Sequence, residues 1–171
     1  HRRIQLEHGR LAGYYLTQFQ KDEDFDEVLE YLWLVREGYP IPPEACARGA
    51  QLAGSPLLEA MRRRNLIRRE GSGDAFTEEG EVRAERLIRR HRLAEKLFAD
   101  TFQMDAVRVE EEACYFEHIL SPAMTDSICA FLDHPQGCPH GHPIPAGECC
   151  LLARSGGGTK SATRPVPAHE D

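Results

Sequence analysis

The sequence has no long hydrophobic run, no apolar stretch behind its first residues and no excess of basic residues. Its apolar stretches are only a few residues long, such as 31–35, whereas a membrane-spanning helix needs about 20 apolar residues in succession. Because no apolar region follows His1-Arg2-Arg3, we expect no secretory signal, and hence a cytoplasmic protein without a membrane partner. The 21 basic and 28 acidic residues give a net charge of −7, which argues against general nucleic-acid binding but permits a local basic patch.

The size and composition indicate a folded protein with free thiols. A chain of 171 residues accommodates one domain of ordinary size or two small ones. Its mean hydropathy of −0.51 favours a helix-rich globular protein over a disordered one. Six cysteines and eight histidines, without an export signal, indicate free thiols or metal ligands rather than a disulfide framework.

Hydrophobic periodicity and turn residues predict a mainly α-helical fold in four parts. Residues 1–20 form an N-terminal helical extension. Residues 21–77 are predicted as three helices and a ribbon, the outline of a winged helix-turn-helix. Long helices and a Pro/Gly/Cys/His loop follow over 78–150, and a Gly- and Pro-containing flexible tail covers 151–171.

The predicted winged part begins with an amphipathic helix that ends at Gly38 and Pro40. Its apolar face consists of Phe25, Val28, Leu29, Leu32 and Val35. A short helix opens at Pro42, and Ser55 caps a third helix that runs to Asn65. Strand-forming residues on either side of 71–74 predict a two-stranded ribbon with a tight turn.

The second part is predicted as three further helices. Thr77 suits the start of a long helix, whose apolar face consists of Leu87, Leu93, Leu97 and Phe98. The next helix spans about 106–120, and a third begins at Ser121-Pro122 and runs to about 132.

One helix face of this second part concentrates side chains that bind metals. At about 100° per residue, Glu110, Cys114, Glu117 and His118 fall within a stripe of roughly 100°. Two carboxylates, one thiol and one imidazole suit a divalent metal of the first transition row.

Two further pairs have helical spacing: His91 with Glu95, and Glu27 with Glu30. Taken alone, such pairs are usually solvated surface contacts. Their combination with the stripe on the later helix predicts a metal site between packed helices.

The order of these residues resembles the DtxR/MntR family, the diphtheria-toxin-repressor-like iron- or manganese-dependent transcriptional regulators. The resemblance covers about residues 24–145 and rests on three segments: Arg90-His91-Arg92-Leu93-Ala94-Glu95, Glu111-Glu112-Ala113-Cys114-Tyr115-Phe116-Glu117-His118, and 134–145 with its Cys138-Pro139-His140-Gly141-His142 core. It implies a winged helix-turn-helix DNA-binding domain (21–77) and a helical metal-binding and dimerisation domain (78–150), with metal at the junction.

The resemblance also implies which residues bind metal. Cys114, Glu117 and His118 match the metal-binding helix, and His91 and Glu95 match the ligand pair on the preceding helix. Glu27 stands where the iron branch has Met and the manganese branch has Asp, Glu30 where the manganese branch has Glu, and Glu110 where the iron branch has His. The chain therefore mixes the two branches.

The implied function is a metal-dependent transcriptional regulator that binds double-stranded DNA as a homodimer, with the metal as corepressor, and is not an enzyme. Because a thiolate favours softer ions, Cys114 predicts Fe(II), with Mn(II) and Zn(II) as alternatives. A di-metal carboxylate enzyme is disfavoured, since Glu117 and His118 are adjacent rather than in a Glu-x-x-His arrangement.

The DNA-reading segment departs from the family pattern. Where family members have a Ser/Thr/Pro-rich start to the recognition helix, Gly54 and Pro56 would interrupt a helix here. Phosphate contacts are predicted instead from a basic cluster; the predicted DNA-binding residues are Ser55, Arg62, Arg63, Arg64, Arg68 and Arg69. The alternative function is a metal-sensing accessory protein of iron transport with a degenerate recognition helix and no specific DNA binding.

The loop after residue 135 offers further donors, namely Cys138, His140, His142, Cys149 and Cys150. These residues suit zinc, but their spacing matches no closed zinc finger, so a plain turn or reactive thiols is the other interpretation. In the family this loop connects to an SH3-like domain, which we expect to be absent because a short tail follows.

Overall fold

The computed structural model describes residues 22–38 and 56–155. Within these ranges the elements are α1 (22–37), α2 (Pro56–Arg63), β1 (Ile67–Glu70), β2 (Gly73–Phe76), α3 (Glu78–Asp100), α4 (Ala106–Ile119), α5 (Pro122–Phe131) and α6 (Glu148–Ser155). The mainly α-helical prediction is confirmed. The predicted N-terminal extension, the short helix at Pro42, Ser55 and the tail from 156 onward lie outside the described residues. No helix in the described ranges is both long and apolar enough to cross a membrane.

The winged part has its own hydrophobic core. Phe25 and Leu29 of α1 pack with Met61 of α2 and Ile67 of β1, and all four are buried. Val35, predicted on the apolar face of α1, is instead 45% exposed, and Trp33 takes its place in the core. Near the end of α1, the buried face of the helix therefore includes Trp33 and not Val35.

The two strands form an antiparallel ribbon in which Ile67 pairs with Phe76. The turn between them is tighter than predicted, since Gly71 and Ser72 alone separate the strands. Gly71 has a φ of 58°, a left-handed conformation that glycine adopts at no steric cost.

Three helices begin at capping side chains. The Thr77 hydroxyl accepts a hydrogen bond from the Gly80 amide (3.0 Å), Asp105 from Arg108 (3.1 Å) and Ser121 from Met124 (3.2 Å). Each such cap typically stabilises a helix by about 1 kcal/mol. The start of α3 and α5 therefore follows the sequence prediction.

The long helix α3 is shared between the two parts of the chain. Its Ala84 and Ile88 lie in the core of the winged part, whereas Leu93 and Phe98 lie in clusters of the second part. Buried Arg92 also donates to Glu37 of α1 (2.5 Å) and to the carbonyl oxygen of Pro143 (2.6 Å). The predicted domain boundary at residue 78 therefore lies at the start of a helix that packs with both parts of the chain.

The chain does not become irregular at residue 151. Helix α6 runs to Ser155, so the predicted tail is wrong for residues 151–155. Cys150 in the first turn of α6 is buried with Leu93, Cys129 and Ile144. This packing stabilises a helix that the sequence did not predict, because a Gly-rich segment follows it.

A glycine at the junction of β1 and α3 generates a test of this packing. A Cβ on Gly80 would lie 1.7 Å from the Leu66 carbonyl oxygen, whereas nothing lies within 4 Å of one on Gly73. We expect Gly80→Ala to lower the free energy of unfolding in urea by about 1–3 kcal/mol, the usual cost of overpacking. Gly73→Ala is the matched control, and equal stability of the two variants would contradict the packing described.

Candidate metal centre

The centre of the candidate site is the buried imidazole of His91 on α3. Its Nδ1 lies 2.7 Å from Glu117 Oε2 and 3.8 Å from Glu30 Oε1, and its Nε2 lies 3.6 Å from Glu95 Oε1. Glu117 is 2% exposed and Glu95 3% exposed. Two buried carboxylates and the partly exposed carboxylate of Glu30 therefore surround one imidazole, an arrangement that is costly unless a positive charge balances it.

Three helices supply these side chains. Glu30 lies on α1, directly after the buried Leu29, and its carboxylate reaches His91 of α3. His91 and Glu95 share one face of α3, and Glu117 lies on the face of α4 that packs against α3 through Ala113. Cys114 lies on α4, three residues before Glu117, and contributes to the raised pKa of His91.

The electrostatics of the site reflect this crowding. Burial and the nearby charge of Glu117 raise the pKa of Glu30 to about 7. Burial alone would raise the pKa of Glu95, but His91 lowers it to about 2. Burial likewise opposes the charged form of His91, yet its bonds to Cys114, Glu117 and Glu95 raise its pKa well above the usual value. Without metal, a proton on His91 supplies the balancing charge.

His118 lies beside this group with an unpartnered nitrogen. Its Nε2 is 3.5 Å from Glu117 Oε1, and its Nδ1 is 3.7 Å from Asp26 Oδ2. Nδ1 is buried and has no hydrogen-bond partner among the described residues. Asp26 is held by Arg83, whose Nε donates to Oδ1 at 2.7 Å. An unpaired imidazole nitrogen among carboxylate oxygens fits a divalent cation.

A second group of donors shares His91 with the first. Donor atoms of His91, Glu95 and Glu110 lie within 4.8 Å of one another, as do those of Glu30, His91 and Glu117. Glu110 is exposed, so this second group opens towards solvent. The structure thus brings together the residues that the sequence assigns to two different helices.

Three of the predicted ligands, Glu27, Cys114 and His118, belong to none of the close donor groups found within the described ranges. Glu27 is exposed on α1, whereas Cys114 and His118 are half-buried on α4. Asp26, which the sequence analysis missed, faces His118 instead. The signal was available, because Asp26 and Glu30 are four residues apart and share a helix face.

The five predicted donors of the late loop do not form one set. His140 Nδ1 lies 2.8 Å from Glu95 Oε1, and Cys138 lies with them. Cys149 and Cys150 lie instead with Cys129 and His134, two residues that the sequence analysis did not connect with them. The candidate donors of the loop are therefore divided between two groups, one that includes Glu95 of α3 and one that includes Cys129 of α5.

The predicted DNA-binding arginines all have acidic neighbours. Arg62 makes two hydrogen bonds with Asp74 (2.9 and 2.8 Å) that fasten α2 to the ribbon. The other four are more exposed and pair at the surface: Arg63 with Glu59, Arg64 with Asp22, Arg68 with Glu70 and Arg69 with Asp74. Exposed pairs of this kind contribute little to stability.

Comparison with known proteins identifies the second part of the chain. Residues 77–146 match the family model described as iron dependent repressor, metal binding and dimerisation domain. The iron-dependent repressor IdeR of Mycobacterium bovis is 35% identical over 92 residues, which are 53% of this chain and 40% of that protein. The diphtheria toxin repressor of Corynebacterium efficiens is 39% identical over 70 residues, which are 41% of this chain and 30% of that protein. The chain thus spans about two fifths or less of these relatives.

Solved structures extend the similarity to the winged part. The metal-dependent transcriptional regulator MtsR aligns with a TM-score of 0.60 and 27% identity over 72% of this chain and 58% of its own. The manganese regulator SloR aligns with a TM-score of 0.58 and 26% identity over 72% of this chain and 59% of its own. With the donor set around His91, these matches show that the chain is similar to regulators of the DtxR/MntR family, and that residues 77–146 match the metal-binding and dimerisation domain of iron-dependent repressors.

Proposed function

We propose that the chain is a metal-dependent transcriptional regulator that binds double-stranded DNA as a homodimer, with Fe(II) as corepressor. The observation that carries the proposal is the meeting of Glu30 from the winged part with His91 and Glu117 from the second part. A cation held there joins the element that carries the DNA-binding core to the element that carries the dimer contacts.

Such a junction works as a switch if metal binds only the joined arrangement. At 100 times its dissociation constant, the metal then stabilises that arrangement by about 2.7 kcal/mol, roughly a hundredfold shift in population. Paired helix-turn-helix domains need recognition helices about 34–36 Å apart, so fixing the orientation of α1 against α3 and α4 sets this spacing.

The proposed ligands follow from the contacts around His91. We assign one metal position to Glu30, Cys114, Glu117 and His118, and a second metal position to Glu95 and Glu110. His91 lies between the two positions. Glu27 remains a proposed ligand by family resemblance. The Cys114 thiol favours Fe(II), and Mn(II) and Zn(II) are the alternatives. When bound, the metal supplies positive charge in place of the proton on His91.

The homodimer is supported by an apolar surface on the second part. Val107, Tyr115 and Ile119 of α4 and Met124 and Phe131 of α5 are exposed. Met124 and Phe131 are seven residues apart and share one helix face. Exposed apolar surface of this kind is typical of protein interfaces, and the matched family model is described as a dimerisation domain.

DNA contacts are proposed for the exposed arginines of α2 and the ribbon, namely Arg63, Arg64, Arg68 and Arg69. Arg62 is set apart because its guanidinium is committed to Asp74. Ser55 lies outside the described residues. The rival function, a metal-sensing accessory protein without specific DNA binding, is not favoured, since the matched relatives are repressors by name.

The regulator proposal is tested by DNA binding with and without Fe(II) under anaerobic conditions. We expect the metal to tighten binding of a labelled promoter duplex about a hundredfold, from the population shift given above. Fluorescence anisotropy over a salt series, with a scrambled duplex as control, is the measurement. If Fe(II) leaves affinity unchanged and no sequence preference appears, the accessory-protein alternative holds instead.

Glu117→Gln tests the proposed ligand set. The amide keeps the shape of the side chain but removes the buried negative charge beside His91 and with it one anionic ligand for the metal. Because loss of even an outer-shell partner costs 10–100-fold, we expect Fe(II) affinity to fall by more than about tenfold in calorimetric titration. Glu111→Gln, at an exposed position of the same helix, is the control. Equal affinities of the two variants would refute the assignment.

Cys114→Asp tests the metal preference. Replacement of a thiol by a carboxylate converts the site to oxygen and imidazole donors, which suit Mn(II). We expect the ratio of Fe(II) to Mn(II) affinity to fall about tenfold, or roughly 1.4 kcal/mol. Competition titrations measure this ratio, and an unchanged ratio would mean that Cys114 is no ligand.

Proton release tests the charge balance at His91. Because the pKa of His91 is raised, the metal-free protein holds this proton at pH 7, and a metal must displace it to reach a neutral imidazole. We expect at least one proton released per metal at pH 7, and an affinity that rises with pH. Calorimetry in two buffers of different ionisation enthalpy gives the number, and zero release would contradict this charge state.

A further inference from the structure

A second cluster of donors lies between α5 and α6 and shares no residue with the site around His91. Cys129 Sγ lies 3.5 Å from His134 Nδ1 and 3.5 Å from Cys150 Sγ, and the sulfurs of Cys149 and Cys150 are 3.9 Å apart. All four donor atoms lie within 4.8 Å of one another. Cys129 and Cys150 are buried, and Cys149 and His134 are half-buried.

These separations match the edges of a tetrahedron around zinc. With Zn–S bonds of about 2.3 Å and a Zn–N bond of about 2.0–2.1 Å, tetrahedral geometry sets S···S distances of about 3.8 Å and S···N distances of about 3.6 Å. The observed S···S distances of 3.5 and 3.9 Å bracket the first value, and the observed S···N distance of 3.5 Å lies close to the second. Three thiols and one imidazole are also a ligand set of structural zinc sites.

The chain adopts an uncommon backbone to bring His134 to this position. Asp133 and His134 have φ values of 58° and 53°, in the left-handed region that residues other than glycine rarely adopt. This turn ends α5 and returns the His134 amide to the Cys129 carbonyl oxygen at 2.8 Å. Cys149 and Cys150 arrive from the first turn of α6, where the Cys150 amide donates to Gly147.

A buried arginine supplies charge compensation for thiolates. Arg89 Nη2 lies 3.1 Å from Cys149 Sγ and 3.1 Å from Asp126 Oδ1, and its Nη1 lies 3.9 Å from Cys150 Sγ and 2.9 Å from the Pro145 carbonyl oxygen. Zn(II) with three thiolates and a neutral imidazole carries one net negative charge, which the adjacent guanidinium balances.

We propose that Cys129, His134, Cys149 and Cys150 bind one Zn(II) ion in a closed structural site that fastens α6 to the end of α5. The site is independent of the regulator proposal, since each can fail without the other. The metal binds by displacement of thiol protons, and no oxidation or reduction is involved. A different chemistry, a disulfide between Cys129 and Cys150, would need an oxidant and a shortening of their 3.5 Å separation.

The experiment measures zinc and cobalt binding to the full chain, purified anaerobically and stripped of metal under reducing conditions. Glu117→Gln serves as the background that weakens the His91 site, and Cys149→Ser and Cys150→Ser are the test variants in it. Glu148→Gln is the matched control, because Glu148 precedes Cys149 on α6 but is exposed and lies outside every close donor group of the described residues. Zinc affinity is measured by competition with a chromophoric chelator, and cobalt absorption reports thiolate ligands in a tetrahedral field.

We expect one zinc equivalent to persist in Glu117→Gln and in its Glu148→Gln derivative. Each of the two test variants should bind zinc more than about 100-fold more weakly, since even outer-shell changes cost 10–100-fold. The thiolate-to-cobalt charge-transfer band should also fall with each cysteine removed. Circular dichroism checks folding, and Cys149→Ser, at a half-buried position, remains informative if Cys150→Ser does not fold.

Two results would overturn the proposal. The first is unchanged zinc affinity and an unchanged cobalt spectrum in Cys149→Ser. The second is a reduced Glu117→Gln protein that takes up no zinc, together with a Cys129–Cys150 disulfide on peptide mapping after exposure to air. That outcome would identify the cluster as a redox pair.

Discussion

The structure depends on the packing of three carboxylates around one imidazole, of which Glu95 and Glu117 are buried and Glu30 is partly exposed. Glu30, Glu95 and Glu117 all face His91, and desolvated negative charges at such distances destabilise a fold unless a cation balances them. A proton on His91 does this in part, and a divalent metal would do so more fully. Because the carboxylates come from different helices, the balance of charge sets the packing of α1 against α3 and α4.

Helix α3 connects the charge balance at His91 with the cores of both described parts of the chain. Its first half packs into the core of the winged part through Ile88, and its second half carries His91 and Glu95 into the second part. Arg92 on the same helix ties Glu37 of α1 to the loop at Pro143. The helix that carries His91 therefore packs directly into the cores of both parts of the described chain.

Much of the fold followed from the sequence because caps and helical spacing are local. Thr77 and Ser121 determine where helices begin, and the spacing of His91 with Glu95 requires a shared face. The choice between Asp26 and Glu27 could not be made in this way, since it depends on the rotation of α1 against α4. The cluster of Cys129 and His134 with Cys150 was also missed, because it depends on a left-handed turn after α5 and on the docking of α6.

The central claim is that one cation is held by side chains of α1, α3 and α4 together. Crystals of the full chain grown anaerobically with Fe(II), measured at the iron absorption edge, test it most directly. We expect an anomalous peak for one iron ion that is bonded to Glu30, His91 and Glu117. A peak bonded to α3 and α4 alone, with the Glu30 carboxylate turned away, would contradict it.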